Sequence, residues 1–366
     1  MISIKYKLYK NKKLSRIDDL CITSSYIWNH CLALQNRYYS LYGGYIHKYK
    51  LQKHLTKLRR KNPYWQKLGS QAVQEIVVRL DDAFKRFFNH ICDHTPKFKN
   101  VNRSTSFILR QKAGYSISNN VLTLNGIGTF KFNKHREFTE IKRITIKKDK
   151  VGDFWLIVIC PELNYIHEVP KNRFSVGIDF GLKTFLTLSD GTIYSSPLLY
   201  KENISSIKKA HRQFSNKTKD SKNWHKARIN LARVHKKVTN RRSDFHWKLA
   251  NELCKKYSFI ALEDLDIRDM VSHYGRKVSD LSYGRFIIIL EHTAKKYNTV
   301  VQKINRFFPS SKLCKCGFKN DALTLETREW NCPSCGAINN RDVLAASNIL
   351  SEGIRIYRSK HKTKVS

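Results

Sequence analysis

The sequence predicts an α+β multidomain protein, and three blocks of the chain lead to that prediction. Residues 2 to 9 alternate between apolar and polar side chains, as half-buried strands do, and more strand patterns occupy about 98 to 172. Helical periodicity fills about 15 to 92, between these two strand regions. After Pro170, strands alternate with helices as far as a segment that carries four cysteines. Separate blocks of strands and helices are typical of α+β proteins, and the alternation after Pro170 is typical of an α/β sheet.

The strands of the first half fit a small β-barrel that is interrupted by a helical domain. VLTL at 121 to 124 and TFKF at 129 to 132 flank Asn125-Gly126, a pair that favours a tight hairpin turn. ITIKK and DFWLIVIC follow as two more strands. Within the helical insertion, Ser70 is the predicted N-cap of a helix. The apolar face of that helix is formed by Val73, Val77, Leu80, Phe84 and Phe87.

The second half reads as a sheet with helices between its strands. Strands are predicted near 174 to 179, 184 to 188, 258 to 263 and 299 to 304, a long basic helical segment over about 200 to 257, and a helix near 284 to 297. The last residues, 352 to 366, are basic, and we expect them to be disordered.

The charge of the chain indicates a polyanionic partner. Lys and Arg number 69 against 29 Asp and Glu, a formal net charge of +40 that exceeds what solubility requires. Nucleic acid is the simplest partner for such a surface. A solvated basic surface or a ribosomal-type protein is the alternative. With 366 residues and 41% hydrophobic content the chain can bury a substantial core, which small ribosomal proteins usually lack.

Two further observations concern the compartment. The first residues contain no apolar run of signal-peptide length, and no window reaches the length of a membrane span, so we expect a soluble protein that is not secreted. Five cysteines are scattered through apolar segments, which predicts small buried thiols in a reducing compartment. These five are Cys21, Cys31, Cys92, Cys160 and Cys254.

Three acidic residues follow or open predicted elements. Asp179 and Glu263 lie at the ends of β-prone apolar runs, and Asp342 opens an amphipathic helix. Because ligand sites in α/β sheets form at the carboxyl ends of strands, three carboxylates placed in this way can converge on divalent metal ions. Each acid also has an ordinary interpretation: a turn at Asp179, loop polarity around Glu263, and a favourable helix dipole at Asp342.

Four cysteines near the C-terminus have the spacing of a zinc ribbon. Cys314 and Cys316 form a C-x-C pair, and Cys332 and Cys335 form a C-x2-C pair after fifteen intervening residues. A single structural Zn²⁺ with four sulfur ligands is expected, although the C-x-C pair has a strained bite. The alternative is a metal-free β-hairpin with reduced thiols.

Taken together, these motifs resemble the TnpB family of transposon-encoded, RNA-guided DNA endonucleases, relatives of the type V CRISPR effectors. The resemblance rests on SVGIDFGLKTFLTLSDG, ALEDLDIRDM, FPSSKLCKCG, CPSCG and RDVLAASNIL, and it continues upstream through SQAVQEIVVRLDDAFKRFF and TPKFK. It therefore covers nearly the whole chain. The domains that it implies are a wedge-type β-barrel at 1 to 14 and 98 to 172, a helical recognition domain at 15 to 97, a RuvC-like (RNase H-like) nuclease core at 173 to 309 and 337 to 351, and a zinc ribbon at 310 to 336.

The resemblance also implies roles for particular residues. Asp179, Glu263 and Asp342 match the family's catalytic acids, which would hold two Mg²⁺ or Mn²⁺ ions, since paired divalent ions activate water and stabilise the leaving oxygen. The basic residues expected to contact nucleic acid are Lys97, Lys99, Lys236, Lys237, Arg241, Arg242 and Arg341.

The expected partners are a guide RNA from the transposon end and double-stranded DNA with a short flanking motif, bound by a monomeric ribonucleoprotein in the prokaryotic cytoplasm, at the nucleoid. Two other functions stay open. One is an RNA-guided DNA-binding repressor without cleavage, although such proteins show substitutions among the three acids, all of which are present here. The other is a guide-free, structure-specific RuvC-like nuclease.

Overall fold

A computed structural model describes residues 1–110, 114–161, 169–170, 172–182, 184–266, 270, 272, 275–324 and 327–362. The chain divides into two compact units, Met1–Leu163 and Asn164–Ser366. Among the helices of the described residues, none combines the length and apolar character that crossing a membrane requires.

The strands of the first unit form two antiparallel sheets. In the four-stranded sheet the order is β1-β7-β6-β2, and in the three-stranded sheet it is β3-β4-β5. A single bridge, Leu8 to Phe132, links the two sheets within the described residues. The Asn125-Gly126 turn between β4 and β5 is confirmed, with Gly126 at φ +74°. Closure of the sheets into a barrel stays a prediction. The strands are β1 (Ile2–Lys7), β2 (Ser106–Leu109), β3 (Tyr115–Ser118), β4 (Val121–Leu124), β5 (Gly128–Lys131), β6 (Arg143–Lys148) and β7 (Phe154–Cys160).

Four helices fill the predicted helical insertion: α1 (Leu14–Tyr42), α2 (Lys48–Lys61), α3 (Pro63–Gln66) and α4 (Ser70–Phe88). The predicted apolar face of α4 is buried from Val73 to Phe84. The predicted cap is wrong by one residue: Gly69 is the N-cap, and Ser70 is the first helical residue.

The second unit is built on a five-stranded mixed sheet with the order β10-β9-β8-β11-β12. Neighbours among β8, β9 and β10 are antiparallel, whereas β11 is parallel to both β8 and β12. In the parallel register Leu262 pairs with Ile178, so the ends of β8 and β11 are level. The strands are β8 (Phe174–Phe180), β9 (Thr184–Leu188), β10 (Ile193–Ser195), β11 (Tyr257–Glu263) and β12 (Val300–Ile304).

Helices cover both faces of this sheet. Strand β11 shows why, because Ile260 and Leu262 belong to one apolar core while Phe259 and Ala261 belong to another. The first core is closed by α7 and α9, and the second by α10. The helices are α5 (Leu199–Glu202), α6 (Ile204–Ser215), α7 (Lys222–Lys256), α8 (Arg276–Leu281), α9 (Tyr283–Tyr297) and α10 (Arg341–Lys362).

Two glycines allow α10 to lie close against the sheet. A Cβ atom on Gly177 of β8 would stand 1.9 Å from the carbonyl oxygen of Ala346, and one on Gly353 would stand 2.5 Å from the Cβ of Ala261 in β11. These contacts fix α10 against the same two strands that carry Asp179 and Glu263. The start of α10, which carries Asp342, is therefore held near the strand ends.

The expected disorder of residues 352 to 366 is wrong for 352 to 362, because α10 continues to Lys362. Its last turns are apolar on one side: Ile354 and Tyr357 pack against the core, and the Tyr357 ring lies 5.5 Å from that of Phe259. Arg355, Arg358 and Lys360 lie on the exposed side, and these basic residues make the apolar spacing hard to see in the sequence. Residues 363 to 366 lie outside the described part of the chain.

Candidate metal centre

Three different elements position the predicted acids. Asp179 is the last but one residue of β8, Glu263 is the last residue of β11, and Asp342 lies in the first turn of α10. The Asn340 side chain caps this helix, since its Oδ1 accepts a hydrogen bond from the Val343 N–H at 3.2 Å. The structure thus places the acids at two strand ends and a helix start, as the sequence predicts.

The electrostatics of Asp179 indicate that the three carboxylates influence one another. Burial raises its pKa to about 8, and the negative charges of Glu263 and Asp342 contribute in the same direction; the Arg341 charge and the Phe180 N–H oppose the change only in part. Burial also raises the pKa of Glu263. Carboxylates that are crowded and desolvated in this way favour a cation, and hard divalent ions prefer oxygen ligands.

Each of the other two acids has a partner of its own. Ser310 donates to Glu263 Oε1 at 2.6 Å, and Arg328 Nη1 donates to both carboxylate oxygens of Asp342 at 3.0 and 3.1 Å. The three acids do not form a preassembled cluster: over the described residues, only the four cysteines form a group of three or more possible ligands with all donor atoms within 4.8 Å of one another.

Ser310 is held by α10 itself. Asn348 is buried, and its Nδ2 donates to the carbonyl oxygens of Ser310 at 2.8 Å and Leu313 at 2.6 Å. The helix that carries Asp342 thereby also fixes the segment whose serine orients Glu263. Sequence reasoning missed Ser310, Arg328 and Asn348. The first and last lie inside FPSSKLCKCG and RDVLAASN, but no spacing rule marks them as partners of the acids.

The four cysteines come together as predicted. Cys314 Sγ lies 3.7 Å from Cys335 Sγ, and Cys316 Sγ lies 3.6 Å from Cys332 Sγ. Tetrahedral zinc with Zn–S bonds of about 2.3 Å requires sulfur atoms about 3.8 Å apart, so these separations fit a four-cysteine zinc site. Hydrogen bonds from the Cys316 N–H and the neighbouring thiols lower the pKa of Cys314, and these thiols raise the pKa of Cys335 although the Ala337 N–H opposes this, so the thiolate that a metal needs forms first at Cys314.

The shortened knuckle forms a turn similar to that of the standard one. The Gly317 N–H donates to the Cys314 carbonyl at 2.9 Å, just as the Gly336 N–H donates to that of Cys332 at 2.8 Å. Both glycines have positive φ, +92° and +69°, which other residues rarely adopt. One residue fewer between the cysteines is thus accommodated by a tighter turn. A short hairpin of β13 (Glu329–Asn331) and β14 (Ile338–Asn340) then leads directly into α10.

The basic residues predicted to contact nucleic acid fall into different environments. Lys97, Lys237 and Arg241 are exposed, whereas Lys99 and Lys236 are half-buried. Arg242 does not fit the prediction of a surface contact: only 19% of its side chain is exposed, and Nη2 lies 2.6 Å from Asp280, so it joins α7 to α8.

Arg341 is likewise used within the protein. Its Nη1 donates to the carbonyl oxygens of Thr324 at 2.5 Å and Thr327 at 3.4 Å. Its charge still acts on Asp179, where it partly opposes the rise in pKa that burial and the other two acids cause. The predicted phosphate contact at Arg341 therefore competes with a structural role.

Comparisons with known proteins agree with the fold and motifs. Residues 158–273 match a family profile described as "Probable transposase" (OrfB_IS605), and residues 283–349 match the "Cas12f1-like, TNB domain". A Streptomyces pristinaespiralis protein named "Putative RNA-guided DNA endonuclease" is 32% identical over 294 residues, 78% of this chain and 72% of that protein. The chain belongs to the TnpB family.

Two more comparisons extend over most of the chain. The "Putative RNA-guided DNA endonuclease InsQ" of Escherichia coli K12 is 26% identical over 347 residues, covering 90% of this chain and 86% of the relative. The solved structure "Cryo-EM structure of the Cas12f1-sgRNA-target DNA complex" aligns with a TM-score of 0.58 at 16% identity, over 93% of this chain and 83% of that one. This TnpB chain thus shares the multidomain α+β fold of that solved structure.

Two residues beside Asp342 support the start of α10. Asn340 caps the helix through its side-chain oxygen. Leu344 packs with Trp330, Cys314 and Cys332 in the small core of the cysteine hairpin. Leu344 therefore joins the cysteine cluster to the helix that carries Asp342.

This connection leads to a prediction about Cys335. Cys335→Ser should lower the zinc content well below one ion per chain and reduce DNA cleavage at least about tenfold, because loss of the metal removes the main stabilisation of so small a hairpin. Elemental analysis and a cleavage assay measure the two effects. Cys92→Ser, outside the cluster, is the matched control and should change neither. A wild-type protein that cleaves fully with almost no zinc would contradict the prediction.

Proposed function

We propose that this TnpB chain is an RNA-guided, divalent-metal-dependent DNA endonuclease with one RuvC-like site. The observation that supports it most is the placing of Asp179, Glu263 and Asp342 at adjoining ends of β8, β11 and α10, where burial, and after it the charges of the other two acids, raises the pKa of Asp179. A mixed sheet of three antiparallel strands followed by two parallel strands is consistent with an RNase H-like core. The names of the relatives and the net charge of +40 support nucleic-acid chemistry.

The three acids would hold two Mg²⁺ or Mn²⁺ ions, which supply activation of the attacking water and stabilisation of the leaving oxygen. The chain's own residues prepare the site for this. Ser310 orients Glu263, and the hydrogen bonds from Asn348 hold Ser310 in place. Arg328 pairs with Asp342 and would have to share or release that carboxylate when a cation binds. The cysteine cluster would hold one structural Zn²⁺.

The remaining parts would hold RNA and DNA. We assign the wedge role to the sheets at 1 to 14 and 98 to 172, the recognition role to the helices at 15 to 97, the nuclease role to 173 to 309 with 337 to 351, and the zinc ribbon to 310 to 336. Base pairing with a guide RNA from the transposon end would select the target, while the protein contacts backbones and a short flanking duplex motif. The complex would act as a monomeric ribonucleoprotein at the nucleoid, in the cytoplasm of a prokaryote.

A reconstituted cleavage assay tests the proposal. RNA that co-purifies with the protein, expressed together with its flanking transposon end, is sequenced, synthesised and added to purified protein with target and non-target plasmids. We expect cutting only with RNA, matching target and Mg²⁺ together, and none in the presence of a chelator. Equal, sequence-blind cutting without RNA would favour a guide-free nuclease. Guide-dependent binding without any cutting would favour a repressor.

A further inference from the structure

A group of cations surrounds one buried acid on the first unit. Glu75 of α4 is only 3% exposed; its Oε2 lies 2.9 Å from Arg110 Nε, and its Oε1 lies 4.0 Å from Arg143 Nη1 and has no hydrogen-bond partner among the described residues. Both arginines keep about half of their side chains in solvent, at 52% and 40% exposure. Glu75 thus fixes two guanidinium groups at the surface without covering them.

Two more cations complete the group beside a tryptophan ring. The guanidinium of Arg79, one turn along α4 from Glu75, lies 6.0 Å from the Trp28 ring centroid, and Lys99 Nζ lies 4.0 Å from it. Burial, and after it the charge of Arg79, lowers the pKa of Lys99 to about 8. Two like charges are therefore held close together and partly out of water, which costs free energy in the absence of an anion.

The main chain at Lys99 is also fixed. The Asn29 side chain donates to the Lys99 carbonyl and accepts from the Lys99 N–H, both at 2.8 Å, and Trp28 Nε1 donates to the Lys97 carbonyl at 3.1 Å. The segment that carries Lys99 is thus tied to α1 by side-chain hydrogen bonds. Such fixed placement of the main chain lowers the entropy cost of ordering this segment on binding.

The composition of the group decides the ligand. Three arginines interact with the single carboxylate of Glu75, and Lys99 adds a fourth cation beside Arg79, so stabilising Glu75 does not account for all of them. Guanidinium groups match phosphate geometry through paired N–H donors. We propose that Arg79, Lys99, Arg110 and Arg143 form a binding site for backbone phosphates of nucleic acid, with Trp28 as its floor. This deepens, and rests on, the proposed function, and it would contribute affinity without sequence preference.

The salt dependence of binding tests the site. The double variant Arg79→Gln/Lys99→Gln should bind a short single-stranded RNA about tenfold more weakly at low salt, and the slope of log K against log salt should become shallower by roughly 1.4, the value for two lost contacts. Lys150→Gln, which removes one charge from an exposed turn of the same unit, is the control and should change the slope little. An unchanged slope in the double variant would overturn the proposal.

Two more arms separate the alternatives. Arg79→Lys/Lys99→Arg keeps both charges, so it should retain the slope; equal loss in this variant would indicate a purely structural role and overturn the site. The salt titration is repeated with RNA-loaded protein and target duplex DNA. If the double variant lowers the salt slope only with RNA, the site binds guide phosphates; if it lowers the slope with the target duplex, the site binds target phosphates. Guide-dependent cleavage by the wild-type protein is measured separately. The proposed phosphate site can therefore be contradicted while the endonuclease function is supported, and the endonuclease function can be contradicted while the phosphate site is supported.

Discussion

Replacing Asp179 by Asn should abolish DNA cleavage while making the metal-free protein more stable. The variant loses a proposed cation ligand, which is worth several kcal/mol of transition-state stabilisation, so cleavage should fall by about 10³-fold or more. The stability gain follows from the raised pKa of Asp179, about 8 in the folded protein against 3.8 ordinarily. Asn has the same shape and no charge to desolvate.

The sign of the pH dependence follows from that pKa. A carboxyl with a raised pKa favours the folded state fully below about pH 4, and this contribution is lost as the pH rises towards about 8. The Tm of Asp179→Asn, measured in chelator, should therefore exceed that of the wild type by about 3–8 °C at pH 8, and by much less at pH 5. Adding Mg²⁺ should raise the wild-type Tm at pH 8 and leave the variant unchanged.

Asp264→Asn is the matched control. Asp264 follows Glu263 directly, but it is exposed and faces Arg306, with 3.5 Å between the charged groups. The Asp264→Asn variant should cleave within a few-fold of the wild type. Mg²⁺ should raise its Tm at pH 8 as much as it raises that of the wild type. An Asp179→Asn protein that still cuts at the wild-type rate, or that is less stable than the wild type at pH 8 without metal, would contradict the assignment of Asp179.

The parts of the fold that the sequence predicted are those set by local pattern. The β8, β9, β11 and β12 strands and the α9 helix all lie within about two residues of their expected positions, because alternating or continuous apolar runs with clear ends determine them. The positions of Asp179 and Glu263 at strand ends follow from the same runs. The cysteine cluster was predictable because four ligands at this spacing have few other uses.

What the sequence did not reveal depends on contacts between distant segments. Ser310 meets Glu263 across 47 positions, and Arg242 meets Asp280 across 38, and nothing local distinguishes these side chains from solvated ones. The C-terminal turns of α10 were missed for a related reason: a net basic composition suggested disorder, whereas the decisive feature is the spacing of Ile354 and Tyr357 on the side that meets β11.

The close approach of α10 to β8 gives the second large expected effect. Gly177→Ala would place a Cβ 1.9 Å from the Ala346 carbonyl oxygen and 2.8 Å from the Leu350 nitrogen, and both of these are main-chain atoms that no rotamer change can move. The helix must shift or the strand must bend, so we expect at least about 3 kcal/mol of destabilisation, at the upper end for overpacking. Cleavage should fall as well, because the displaced helix carries Asp342.

Gly353→Ala is the control for Gly177→Ala, because its added Cβ would clash with a side chain that a second substitution can remove, and not with main-chain atoms. A Cβ at Gly353 would lie 2.5 Å from the Cβ of Ala261, so Gly353→Ala should destabilise the protein, and adding Ala261→Gly should restore much of the loss. Adding Ala346→Gly to Gly177→Ala should restore little, since the clashing oxygen remains. Thermal melts of the single and double variants, with a cleavage assay on each, measure both cycles. A Gly177→Ala protein that melts and cleaves as the wild type does would show that α10 does not lie on β8 at this distance, and with it the placement of Asp342 beside Asp179 would fail.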